Sequence, residues 1–330
     1  MHLIIPFAAS LSEPCQASLP RLQTTTGPLL PHLHALLGRL DGQPAVDGDE
    51  YALNLPHERV LARLLGWPDD LADGCLPWSA WWAAQDGLSL PAGQPWALVT
   101  PGHWLMGRDH LTLLDPDQLL LTEAESRALM AAIQPFFEED GCTLRYGAPT
   151  RWYLSHPSLA DLPTASLDRV IGRNPDVWLT DHPQARVLRR LQSEAQMLWY
   201  QHPLHDERQA RGLLPVNSFW VSGCGPARPT PLPADVDLQL SLRAPLLADD
   251  VEGWLAAWQA LDAGPVATAL RALDAGQPVT LTLCGERHAR TWASQRDAQA
   301  TPSGLRGWWR RLTASRPAAG TALPDTLGAL

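Results

Sequence analysis

The run HLIIPFA at residues 2–8 limits the possible folds more than any other stretch of this chain. It is apolar throughout, has the length of a strand, and is stopped by turn residues. A strand with one wet face alternates polar and apolar side chains. A continuous run like this has no wet face and must be covered on both sides, as in a sheet flanked by helices. The helices are at hand. LLPHLHALLGRL, HERVLARLLGW and the tryptophan-rich LPWSAWWAAQDG follow in the first hundred residues. Near the other end DVDLQLSL alternates as a half-buried strand, DVEGWLAAWQALDAG and ATALRALDAG read as helices, and PVTLTLCG as a strand. Strands and helices alternating at both ends predict an α/β core.

The middle of the chain reads differently. PWALVTPGHWLMG and HLTLLDP are expected to be paired strands, CTLRYGAPTRWYLSH a strand, a turn and a strand, and VNSFWVSG a strand. LTEAESRALMAAIQPFFEEDG is the clearest helix, because Thr122 and Glu125 stand at the spacing of a capping box. QARVLRRLQSEAQMLWYQH is a second long helix. The expected organisation is a discontinuous α/β core over 1–95 and 226–300, an inserted α+β domain over 96–225, and a mostly loose Pro/Ala/Gly-rich tail over 301–330.

Composition narrows the chemistry. All 25 basic residues are arginine. Schiff-base chemistry, pyridoxal-phosphate catalysis and the P-loop lysine are therefore excluded, and a phosphate has to be held by arginine forks, amides, histidine or metal. A net charge of −10 argues against a nucleic-acid or anionic-membrane surface. The five scattered cysteines, with no CxxC, suit a reducing compartment and packing roles. The short apolar start lacks a basic leader, so a cytoplasmic protein is expected. GxGxxG, GxSxG and HExxH are all absent.

Several polar groups stand out. His202, His205 and Asp206 lie around Pro203 at a helix start, a spacing that suits capping better than zinc. Asp168, Arg169, Arg173 and Asn174 surround a Gly-Asn turn that could grip a phosphate or form a surface ion pair. Arg151 sits in a strand between aromatics. Glu286 and His288 follow a late strand, where α/β proteins place functional side chains. The Trp78, Trp81, Trp82 cluster could mark a protein interface.

The segment HPLHDERQARGLLPVNSFWVSGCGPARPTPLP, residues 202–233, resembles a segment of the archaeal-type cofactor-independent phosphoglycerate mutases. His202, Pro203, Arg208, Gly212, Pro215, Asn217, Trp220, Gly223, Gly225 and Pro229 carry the likeness, joined upstream by LTEAESRALM, RYGAPTRWYL and LDRVIGR. The chain as a whole is similar to the bacterial RpfE-type regulatory proteins. The resemblance implies an alkaline-phosphatase-like core sheet bearing an inserted domain that helps hold a phosphorylated metabolite. In that family the first strand delivers a metal-binding aspartate, and this chain has IIPFAAS there. The expectation is a catalytically degenerate, regulatory or metabolite-binding protein with no cofactor. Arg151, Asp168, Arg169, Arg173, His202 and Asn217 would surround the anion, in a cleft between core and insertion. The alternatives are a phosphomutase or phosphatase using manganese or zinc, with Ser10 or Ser12 as nucleophile and Glu286 and His288 as ligands, and a structural protein that binds a protein partner.

Overall fold

A computed structural model describes residues 1–24, 27–294 and 322–330. The strands are β1 (His2–Ile5), β2 (Pro95–Gly102), β3 (Trp104–Met106), β4 (Leu111–Leu113), β5 (Thr143–Ala148), β6 (Arg151–Ser155), β7 (Ser218–Pro226), β8 (Val236–Leu238), β9 (Thr280–Cys284) and β10 (Ala289–Ala293), with two-residue pieces such as Asp41–Gly42. The main helices are α1 (Glu13–Ser18), α2 (Pro31–Leu37), α3 (Pro56–Leu64), α4 (Trp78–Gln85), α5 (Glu123–Glu139), α6 (Arg186–Tyr200), α7 (Leu204–Ala210), α8 (Val251–Leu261), α9 (Ala267–Asp274) and α10 (Leu323–Gly328). The chain divides into two compact units. The first is Met1–Tyr51, Pro56–Leu64 and Leu232–Leu330, and the second is Ala52–Leu55 and Leu65–Pro231. Residues 65–95, expected with the core, therefore group with the middle of the chain.

The first unit is built on a mixed sheet in the order β8-β1-β9-β10-Asp41–Gly42. β1 runs parallel to β8 on one side and β9 on the other, and β10 is antiparallel to β9. Leu3, Ile4 and Ile5 are fully buried. That matches the covered strand that the unbroken apolar run demanded. The alternation of DVDLQLSL forms a strand only over β8. Its partner β1 is short, and Gln239 N–H on Ile4 O is the last bond before the chain turns at Leu240. The two helices expected over 250–276 are joined through a π-helical turn, Asp262–Val266. Pro265 in that turn has no N–H to give, and a widened turn accommodates it. Asp262 also caps α2. Its carboxylate accepts from the N–H groups of His32 and Leu33 at 3.3 and 2.7 Å, where Leu30 at the N-cap offers no side chain.

Within the expected loose tail, 301–321 lie outside the described residues. The rest is ordered: Leu323, Leu327 and Leu330 are buried, along and just past α10.

The second unit is an antiparallel sheet in the order β7-β2-β6-β5. Side-chain alternation gives it two apolar faces. Ala97, Val99, Trp152 and Leu154 pack with α5 and α6, while Trp96, Leu98 and Tyr153 pack with α4. The Thr122–Glu125 capping box starts α5 as expected. β3 and β4 pair in a separate two-stranded hairpin, with Leu113 of β4 also bridged to Ile171, while β2 joins the sheet. The glycines of WVSGCGP serve a bulge in β7. Gly223 has φ +62°, and a Cβ there would lie 3.0 Å from Trp78 Cβ and 3.1 Å from Ser79 N, so α4 rests directly on backbone.

Candidate functional site

In the second unit most of the expected anion-binding residues have protein partners. Arg151 forks onto Asp86, and Tyr153 donates its hydroxyl to the same carboxylate at 2.5 Å. The Arg151 guanidinium lies 5.2 Å from the Trp82 ring centroid. Asp86 is the largest reason that the Arg151 pKa is raised. Arg169 is 1% exposed and its Nε donates to Ala52 O at 2.8 Å. Asp168 lies beside it in the turn Leu167–Val170. Arg173 is half-buried, 5.9 Å over Trp178. Asn217 acts as a backbone surrogate: its Oδ1 accepts from Trp104 N–H at 2.7 Å and its Nδ2 donates to Trp104 O at 3.0 Å. His202 Nδ1 accepts from Leu204 N–H at 3.2 Å and opens α7. His205 lies inside α7, where burial, His202 and Arg208 hold its pKa below the usual value. Trp78, Trp81 and Trp82 continue from Trp67 as a packed aromatic series, with Trp78 buried and Trp82 half-buried.

The strongest ionic centre of this unit lies elsewhere. Arg208, fully buried, donates to Glu125 at 2.9 Å, to Leu119 O at 2.5 Å and to Leu214 O at 2.9 Å. Arg211 donates to the other Glu125 oxygen. Burial pushes the Glu125 carboxyl up. Thr122 N–H, Arg211, the Thr122 hydroxyl and the Arg208 charge outweigh that and bring it down to about 2. The Nε, Nη1 and Nη2 of Arg208 each have an acceptor, so the cluster is a brace.

In the first unit the interest lies beyond the carboxyl ends of the parallel strands. Pro6 and Phe7 follow β1, the place at which the sequence already lacked a carboxylate. Phe7 holds a left-handed φ of 59°, with its carbonyl accepting from Trp254 Nε1 at 3.2 Å and its ring 5.2 Å from that of His57. Ser10 Oγ donates to Ser12 Oγ at 3.1 Å, and Ser12 Oγ accepts from Cys15 N–H to cap α1. Neither serine is paired with a base in these bonds. Glu286 accepts from Leu11 N–H at 2.8 Å and so ties the β9–β10 turn to the loop after β1. Burial raises the pKa of all five thiols, which removes thiolate character.

The turn itself is basic. His288 Nδ1 lies 3.2 Å from Asp47 Oδ1, and Arg290 reaches the same oxygen at 3.1 Å. Gly48 N–H donates to His288 Nδ1 at 3.3 Å. A Cβ on Gly48 would lie 4.0 Å from an Arg59 guanidinium nitrogen, so Arg59 borders the same spot. Burial lowers the His288 pKa. Asp47 opposes that, and the nearby Arg290 and Arg287 charges reinforce it. The Nε of Arg287 is buried without a hydrogen-bond partner. Asp47 and Arg59 were missed in the sequence because they lie far along it from Arg287 and Arg290. The only local signal was the crowding of arginines in GERHAR. Among the described residues no three His, Cys, Asp or Glu side chains gather as a metal ligand set. Glu286 turns to Leu11 and His288 to Asp47, so the two expected ligands have separate partners.

No protein-family model matches the chain, and no curated protein matches it. Among solved structures, the chain is similar to a cofactor-independent phosphoglycerate mutase from Thermoplasma acidophilum, at 16% identity over 90% of each chain with a TM-score of 0.36. It is also similar to a protein from Pyrococcus horikoshii, at 13% identity over 91% of this chain and 88% of that one, with a TM-score of 0.47. Likeness at that level decides nothing about activity, and the α/β class rests on the strands and helices described above.

Proposed function

We propose that this chain is a mutase-like protein that binds a small anionic, phosphorylated metabolite without turning it over, in a regulatory role. The anion site is the β9–β10 turn of the first unit. One observation carries the reading: Arg290 reaches a single oxygen of Asp47, a residue whose side chain is 67% exposed, and the His288 ring stands beside that oxygen with its Nδ1 turned to Gly48 N–H. Arg287 adds its charge from the same turn. An exposed carboxylate is a weak internal partner, because water and salt screen it. A phosphate dianion offers more acceptor oxygens and more charge to the same donors. Arginine suits this task in a chain without lysine.

Isothermal titration with 3-phosphoglycerate and with inorganic phosphate tests the reading. Arg290→Ala should weaken binding by roughly ten- to a hundredfold, the range for a charge-assisted hydrogen bond. A wild-type chain that binds neither compound overturns it. The half-buried Arg173 of the second unit supports a second location for the same ligand class, with Arg169 and Asp168 in its turn. Loss of binding in Arg173→Ala, with Arg290→Ala unaffected, would move the site there.

A further inference from the structure

The β9–β10 turn holds a second acceptor besides Asp47. The N–H groups of Arg287 and His288, successive along the backbone, both donate to Leu330 O, at 3.1 and 2.7 Å. Successive amides aimed at one oxygen form a concavity that suits an anion. The same turn carries the side chains of His288 and Arg290, which lie 3.2 and 3.1 Å from Asp47. Leu330 is pressed into it closely: a Cβ on Gly285 would lie 2.5 Å from Leu330 Cβ. The segment is held by Leu323, Leu327 and Leu330, at 2%, 0% and 3% exposure, and Gly328 lies against Leu19. These leucines recur at helical spacing, so they face one way. The last residue takes the two backbone bonds from the turn, and α10 is a single short helix. These leucines and the two bonds to Leu330 O have to offset the ordering of the segment.

We infer that Ala322–Leu330 is an internal competitor for the anion site: docked, it fills the amide concavity with its own oxygen, and a phosphate displaces it. This inference rests on the anion-binding reading above. By linkage, a ligand that competes with the docked segment must also loosen it, by the same factor.

Two measurements on the full-length chain test this. The first is amide exchange of residues 323–330 and 285–288, with and without saturating inorganic phosphate. Phosphate should speed exchange in 323–330 by about tenfold, within the usual range of coupling between sites, while protecting 285–288. The second is phosphate titration of Leu327→Asp, which undocks the segment, beside Leu327→Met, which keeps it docked. The aspartate variant should bind phosphate about tenfold more tightly than wild type, and the methionine variant should match wild type. If wild type binds phosphate while 323–330 stay equally protected, the competition is wrong and the anion site stands. If neither wild type nor Leu327→Asp binds phosphate, the anion reading falls and the competition with it. Should Leu327→Asp fail to fold, the exchange experiment on wild type decides alone.

Discussion

Two carboxylates, one in each unit, answer to arginines in opposite ways. Glu125 is 7% exposed and holds Arg208, Arg211 and its own helix cap. Asp47 is largely exposed and draws Arg290 to one oxygen, with the His288 ring beside it. The chemistry is the same, but the surroundings set the role. In the dry cluster every charge is committed, and removing one member strands another in a medium that cannot solvate it. In the wet cluster the partner can be exchanged for a stronger anion at little cost. Arginine count and spacing cannot separate the two cases, because burial does.

The largest effect should come from breaking the dry cluster. Glu125→Ala leaves Arg208 buried and uncompensated, at a cost of about 3–5 kcal/mol in denaturant unfolding. The same carboxyl sets an acid limit. Its folded pKa, about 2, lies below the unfolded value, so its contribution is present above that unfolded value and is lost as pH falls from about 5 toward 2. Acid titration of stability should show a component worth about 3 kcal/mol that vanishes in Glu125→Gln. Next comes Gly223→Ala. It places a side chain at φ +62° against Trp78 and Ser79 and should cost about 1–3 kcal/mol. Asn217→Ala removes both bonds to the Trp104 backbone, for about 1–2 kcal/mol. Smallest in stability is Asp47→Ala, within about 0.5 kcal/mol of wild type. Yet it should strengthen phosphate binding, because it removes the competing acceptor. A large loss of stability in Asp47→Ala would erase the contrast between the clusters.

The wet site should also respond to pH. The His288 pKa is held low by burial, so the ring is neutral over more of the pH scale than a free histidine. A bound anion favours the charged ring. Affinity for sulfate, whose own charge is constant in this range, should therefore rise as pH falls from 8 to 6. Flat affinity would remove His288 from the site.

What the sequence made legible was local. The fully apolar run of β1 required cover on both faces, and Thr122 with Glu125 announced the start of α5. Distant chemistry stayed hidden. Asp262 caps α2 from far along the chain, and Asp73 holds the N–H groups of Leu53 and Asn54, at 2.7 and 3.1 Å. Asp47 meets His288 only after β10 pairs with Asp41–Gly42. The closing segment misled for a different reason. Its prolines, alanines and glycines suggested disorder, while Leu323, Leu327 and Leu330 carried a helical spacing that outweighs them. Arg151 and Asn217 had the right chemistry for an anion but were placed beside Asp86 and the Trp104 backbone.

The most direct test of the account is calorimetric titration of 3-phosphoglycerate into the wild-type chain, Arg290→Ala and Asp47→Ala. The account predicts a single saturable site, weakened at least tenfold by Arg290→Ala and tightened by Asp47→Ala. No heat of binding in any of the three, with all three folded, would contradict it.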